Sequence, residues 1–428
     1  MKKIVWGCAL TLFLLCGCSR EAAPAPEESL GEEAAEKKEI VLVATDDIEN
    51  TLQAFITQYN QQSEDYYITY EEESMVSRLN ARLVSGNSPD LVIINYNLFQ
   101  VYLEAEALED IGPYLRESSV LKREDYLENV ITPFEKDGKL YGIPVEFSVQ
   151  TLLACGSGIR KGQKWEIVDF LEYLETNPDI VFEWSGNDYE ILKFCLQYGI
   201  DRFVDYDTGT CRFDSEEFAE LLCRTERLGE MISRESHPWY EVVEDGGTLI
   251  AEQSINSFTS FMTASIEYET EVKHLGYPGA DGIPRCRLLP ENAIGLAANS
   301  KNKDAAWEIA EQYLRYQFNL YGFPAARRNF EEMLREATTQ QYIMLEDGSR
   351  KEQPLSYYGG EPIYALTKEQ ADEVLAVIDE ALPDEAVRDR VRQLVLEEAA
   401  TYFSGQKTLE EVQQLAQSRA QVYLSEQL

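Results

Sequence analysis

The sequence predicts an α/β protein built on mostly parallel sheets flanked by helices. Three observations carry this. From residue 39, short β-branched runs alternate with segments whose apolar residues recur at helical spacing. One run, "PDLVIINYN", is apolar on both faces, as a strand covered by helices on both sides must be. The pattern then restarts beyond residue 155 with new helices and strands, and the about 390 residues from residue 39 to the end are enough for two lobes with separate cores.

"EIVLVATDD" is the first strand and ends in acidic residues. "ENTLQAFITQYN" follows with Leu52, Phe55, Ile56 and Tyr59 at i, i+3, i+4 and i+7, one face of a helix. "YYITYEEE" alternates as a strand. "MVSRLNARLVSG" is helical again, with Met75, Leu79 and Leu83 on one side and Gly86 beyond its end. The buried strand comes next, then a helical "LFQVYLEAEAL". Asp137-Gly138 reads as a hairpin turn, and Tyr141 to Leu153 as an extended passage interrupted by Pro144. The second set has helices near 166–175, 187–199 and 215–233, and strands near 247–252 and 272–277. "AIGLAANS" returns as a strand before the amphipathic "KNKDAAWEIAEQYL". Three helical segments near 368–381, 384–403 and 407–427 close the chain. In sheets of this kind ligands bind outside the carboxyl ends of the strands. Those ends carry Asp46 and Asp47, Glu71 to Glu73, and Asn95, Tyr96 and Asn97.

The leader is informative too. Lys2 and Lys3 precede an apolar run over residues 4–16, too short for a spanning helix but suited to a secretory signal. Its end, Leu15-Cys16-Gly17-Cys18, resembles a bacterial lipobox, which implies removal of residues 1–17 and a lipid on Cys18. Residues 19–38 repeat Ala, Pro and Glu, and such a composition is expected to stay a flexible tether of about 25 Å. Lysine and arginine number 38 against 77 acidic residues, a net charge of −39. That field repels nucleic acid and excludes it as a partner. The later cysteines, Cys155, Cys195, Cys211, Cys223 and Cys286, are odd in number and irregularly spaced. They form neither a disulfide framework nor a zinc motif, although one bridge, Cys211 to Cys223, stays open.

Four segments carry a resemblance to a known family. "SGNSPDLVIINYNLFQVYLEAEALEDI", "FEKDGKLYGIPVEFS", "NAIGLAANSKNKDAAWEIAEQYL" and "FSGQKTLEEVQQLAQSRAQVYLSE" are together similar to the family 1 extracellular solute-binding lipoproteins of ABC importers. That group includes the maltose-binding proteins, and the last segment is most like members from gut Firmicutes. The resemblance implies a two-lobed periplasmic-binding-protein-like fold of type II with a ligand in the inter-lobe cleft. Lobe 1 is then expected over 39–146 and 292–340, and lobe 2 over 147–291 and 341–428. It further implies a monomer on the outer face of the cytoplasmic membrane, tethered by lipid alone. Its partners are a small solute, most often a saccharide, and the transmembrane subunits of a permease; no cofactor and no metal are expected.

Sugar hydroxyls call for carboxylates and amides, and the apolar faces of a pyranose call for flat rings. By match to the family motifs, Asp46 or Asp47, Asn97 and Glu146 take the positions of polar sugar ligands, with Asn95, Tyr96 and Phe147 beside them. Asn97 stands where maltose-binding relatives carry Asp. Trp184, Asn256, Phe258, Trp239 and Tyr277 are the candidates for stacking and cleft lining. Each has a plainer reading: a helix cap for Asp46 or Asp47, a solvated hinge carboxylate for Glu146, core for Trp184. Trp165 and Trp307 read as core.

Two rivals stand beside this reading. Acidic strand ends and the negative field also suit a polyamine, a peptide or another cation. A glycoside hydrolase would need a carboxylate pair that cannot be singled out among 77 acidic residues. No HExxH, GxSxG or Walker motif is present, and "GSGIRKG" is one residue off a dinucleotide fingerprint and reads as a turn.

Overall fold

The computed structural model describes residues 37–44, 49–72, 81–82, 88–155, 165–177, 180–182, 188–234, 241, 244–316, 321–383 and 386–427. Cys18, Asp46, Asp47, Trp184 and Trp239, the "GSGIRKG" turn and most of the expected helix after Met75 lie outside them.

The first βα units are those the periodicity predicts. They are β1 (Lys38–Ala44), α1 (Glu49–Gln62), β2 (Tyr66–Glu72), β3 (Leu91–Asn95) and α2 (Tyr96–Glu104). The predicted stripe Leu52, Phe55, Ile56 and Tyr59 is buried. In β3 the run Leu91 to Ile94 is fully buried, which explains why that segment is apolar throughout. The Asp137-Gly138 turn forms with both residues at positive φ, 52° and 74°, between paired residues 135–136 and 139–140.

The extended passage then splits at Val145 into β4 (Ile143–Pro144) and β5 (Glu146–Cys155). Beyond it lie α3 (Ile167–Thr176), β6 (Ile180–Phe182), α4 (Asp188–Gly199), α5 (Glu216–Arg234), β7 (Thr248–Ile255), β8 (Val272–His274), β9 (Cys286–Pro290) and β10 (Asn292–Leu296). The chain continues through α6 (Lys303–Leu314), β11 (Phe323–Pro324) and α7 (Arg327–Thr338). Two hairpins follow, β12 (Gln341–Met344) with β13 (Arg350–Gln353) and β14 (Ser356–Tyr358) with β15 (Glu361–Ile363). Last come α8 (Lys368–Asp379), β16 (Ala381–Pro383), α9 (Ala386–Phe403) and α10 (Leu409–Gln427).

Two main sheets result. The first has the order β2-β1-β3-β10-β4, parallel from β2 to β3 and antiparallel beyond. In the second, β5 is the spine, antiparallel to β7, β8, β9 and β11, with β6 parallel to β7 and β16 parallel to β9. This sheet departs from the mostly parallel arrangement expected of each lobe. The reason is that β5 leaves the first sheet as one long strand, and the strands that come back to the first sheet's side must run against it.

Two large hydrophobic clusters form the core: the first covers the first sheet and also takes in the near end of the second, including Phe147, Val149, Ile255 and Leu288, and the second packs on the rest of the second sheet. One holds Leu42, Val92, Phe99, Ile309 and their neighbours; the other holds Leu152, Phe170, Phe194, Leu222, Val395 and Ala416. Alternation along β5 divides its far end, with Leu152 and Ala154 facing the second cluster and Leu153 and Cys155 facing a small third one under Tyr268. The expected boundary puts 341–428 in the second lobe, yet that stretch divides. Val374, Val377 and Ile378 of α8 pack in the first cluster, where Asn129 also donates to the Ile378 carbonyl at 2.9 Å, while α9 and α10 pack in the second.

α10 docks through a polar ladder. Gln413, Gln417 and Gln421, at i, i+4 and i+8, share one helix face. Gln413 donates to Ser215 O at 2.9 Å, Gln417 bonds Phe213 N–H and Cys211 O at 2.7 and 2.9 Å, and Gln421 donates to Gly209 O at 2.7 Å. This polar face is an edge partner for the 209–215 backbone. Cys211 and Cys223 are both free thiols, so the bridge left open does not form. No helix among the described residues is long and apolar enough to cross a membrane.

Candidate functional site

The chain passes between the two sheets three times, and the three passages meet at Val145 and Glu146. The first runs from β4 into β5. The second joins β9 to β10 through Glu291. The third enters β11 from Tyr321 and Gly322. Backbone bonds stitch them together: Val145 N–H donates to Asn292 O at 3.0 Å, Glu291 N–H to Glu146 O at 3.0 Å, and Ala325 N–H to Val145 O at 3.0 Å. β11 adds to the sheet with Pro324 opposite Glu146 and Phe323 opposite Phe147.

Beneath this junction lies a knot of rings. Phe147, Phe258, Phe323 and Phe330 are all buried, and Phe323 has its ring centre 5.4, 5.1 and 5.8 Å from the other three. This corrects the sequence expectation for Phe147 and Phe258. Side chains alternate along β5, so the residue after Glu146 turns into the core, and a ring without exposed surface has no face to offer a solute. Tyr277 is corrected likewise. It is buried in the second cluster beside Phe194 and Tyr198, and its hydroxyl donates to Glu252.

Polar groups border the junction. Asn95 ends β3 opposite Asn292; its side chain accepts the Leu98 N–H at 3.0 Å and caps α2, so its oxygen is committed to the helix. Tyr96 is buried, edge-on to Phe134 with centroids 5.4 Å apart, and contributes packing rather than a free ring. Asn97 is exposed in the first turn of α2. Asn256 is exposed where β7 ends, opposite the beginning of β5. Glu146 is partly buried, and its Oε2 accepts the Gly322 N–H at 2.7 Å. Burial pushes its carboxyl above the usual range; the Gly322 and Tyr321 N–H groups pull it back, and the charge of Glu291 raises it further.

The structure therefore brings Glu146, Phe147, Asn256 and Phe258 to one junction, with Asn95 and Asn97 at the adjoining strand end. Tyr277 lies elsewhere. Sequence reasoning missed three residues there. Glu291 accepts the Ser148 hydroxyl at 2.9 Å, Tyr321 is 84% exposed, and Gly322 lies under Glu146. A signal for Tyr321 and Gly322 existed. Tyr141-Gly142-Ile143-Pro144 and Tyr321-Gly322-Phe323-Pro324 repeat one pattern at the first and third passages. Each ends in a two-residue edge strand, where proline is tolerated. Each glycine allows a close approach: a Cβ at Gly142 would meet the Phe99 ring at 2.5 Å, and one at Gly322 the Phe147 carbonyl oxygen at 2.7 Å. Among the described residues no group of three or more His, Cys, Asp or Glu side chains could hold a metal ion.

Residues 54–155, from α1 to the end of β5, match the family described as bacterial extracellular solute-binding protein. No curated protein matches the chain. Solved structures resemble it over most of its length. The sugar-binding protein MalE from Xanthomonas citri aligns with a TM-score of 0.57 at 14% identity, over 91% of this chain and 98% of its own. An ABC substrate-binding protein from Listeria monocytogenes, solved with cycloalternan, aligns at 0.55 and 14% identity over 91% of this chain and 100% of its own. A solute-binding protein from Thermotoga lettingae, bound with α-D-tagatose, aligns at 0.54 and 16% identity over 91% and 100%. At such identities the likeness is one of fold. In its matched segment and in its two-lobed α/β fold, the chain is similar to the extracellular solute-binding proteins, which are binders and not enzymes.

Proposed function

We propose that this chain is the solute-binding lipoprotein of an ABC importer. It takes a neutral sugar or oligosaccharide between its two lobes and hands it to a membrane permease, acting as an exported monomer held by a lipid on Cys18. The observation that carries this reading is the junction itself: two separate cores joined by three stitched passages, bordered by Asn97, Asn256, Glu146 and Glu291. A cleft between lobes is a preferred place for a small ligand, and closure over it is the expected motion. Asp46 and Asp47 follow β1, Trp184 follows β6, and Trp239 precedes β7. These four complete the proposed site by chain position.

Calorimetry against a panel of neutral mono- and oligosaccharides, at low and physiological salt, tests it. A neutral sugar has no charge to screen, so its affinity should hold across the two salts, and melting temperature should rise with its concentration. A polyamine should instead lose affinity steeply with salt. That result, or a panel in which nothing binds, overturns the sugar reading. The anchor is tested separately. Mass spectrometry of membrane-bound protein should find an acylated Cys18 at the mature N-terminus, and Cys18→Ser should release the protein or leave its precursor uncleaved. A mature protein that begins elsewhere without lipid rules the anchor out.

A further inference from the structure

The Glu146 side chain reaches from the first passage to the third while its backbone carbonyl holds the second. Its Oε2 takes the Gly322 N–H at 2.7 Å, and its carbonyl takes the Glu291 N–H at 3.0 Å. Gly322 lies close enough that a Cβ there would stand 3.3 Å from the same Oε2. We infer that Glu146 is a positioning residue, a latch whose carboxyl group fastens the third passage to the first and whose charge sets how readily the lobes part.

The sign follows from its surroundings. The titratable groups that face it are Glu291, from the second passage, and Tyr313, from α6. Burial and the Glu291 charge both disfavour the carboxylate, against the two N–H donors of Tyr321 and Gly322. A carboxyl raised in this arrangement binds its proton more tightly here than when hydrated. By linkage, acid favours the arrangement described here, and rising pH favours one in which the carboxylate meets water. Solute affinity then depends on pH through the lobes, even for a neutral ligand. Only this last consequence rests on the solute-binding reading.

Hydrogen exchange of the full chain, followed by mass spectrometry without any solute at about pH 5 and about pH 8, tests the latch once rates are corrected for intrinsic exchange. In the wild type, the Tyr321 and Gly322 amides should exchange severalfold more slowly at the lower pH, and the radius of gyration in small-angle scattering should shift between the two. Glu146→Gln keeps an acceptor oxygen without the charge. It should hold the low-pH behaviour at both pH values, whereas Glu146→Ala should speed exchange at both. Glu291→Gln, which leaves the latch itself intact, should shrink the pH dependence. A wild type and a Glu146→Gln variant with the same pH profile overturn the inference, as does a Gly322 amide indifferent to Glu146→Ala. Since no solute is present, a protein that binds no glycan fails the functional reading alone. A glycan binder without these exchange changes fails the latch alone.

Discussion

Replacing Phe323 by alanine should destabilise the protein by about 3–5 kcal/mol, the largest effect of any single truncation at the junction. The ring has no exposed surface and contacts Phe147, Phe258 and Phe330, so its loss removes both transfer energy and the packing of three neighbours. Relaxation is limited because β11 is pinned on both sides, with Ala325 N–H on Val145 O at 3.0 Å and Leu127 N–H on Ala325 O at 3.2 Å. Since all four rings belong to the first cluster, at the point where that cluster takes in the second sheet through β5 and β11, the damage should also weaken the hold between the two sheets. Denaturant unfolding followed by fluorescence should show an earlier transition, and one that broadens or splits as the lobes unfold separately. A midpoint within about 1 kcal/mol of the wild type would mean that the ring knot does not join the lobes.

Trp184→Ala should weaken binding of the tightest panel sugar by roughly 10- to 150-fold, and Asp46→Asn or Asp47→Asn by a similar factor. A charge-assisted hydrogen bond to a hydroxyl contributes about 1.5–3 kcal/mol, which converts to that range. A stacked indole covers the apolar face of a pyranose and contributes comparably through buried area and ring contact. These three residues follow the carboxyl ends of β1 and β6, one strand from each sheet, so both lobes are needed for the effect. Calorimetry and far-ultraviolet dichroism on each variant separate lost contact from lost fold. Near-neutral effects at all three positions would place the solute elsewhere on the molecule.

Much of the fold is legible in local pattern. The stripe on α1, the apolar β3 and the helices at 167–176, 188–199 and 216–234 fall within a residue or two of where periodicity puts them. Each buries a face that its own spacing defines. The hairpins over 341–363 left no comparable signal. In the first of them all eight strand residues are exposed, so neither strand shows the alternation that a half-buried strand would. The docking of the α10 glutamines left no signal either, because a polar face and a face docked on backbone look alike in sequence.

The site divides in the same way. Residue types marked the strand ends, since carboxylates and amides gather where a solute would need them, and the resemblance to the family motifs singled out the crossing glutamate. What β-strand alternation does to Phe147, which neighbours Phe258 meets once the third passage joins β5, and that Tyr277 turns into the second cluster depend on contacts distant in the chain. Phe258 and Phe323 are 65 residues apart in sequence and have ring centres 5.1 Å apart. The sequence by itself determined the first βα units, the main helices of the second half, that there are two lobes, and the polar composition of the strand ends, because these follow from short-range periodicity and chemistry. Only the tertiary structure decided which aromatic rings pack where the passages meet and that Glu146 reaches Gly322. Those outcomes depend on how three separate passages pack against one another, which no local stretch encodes.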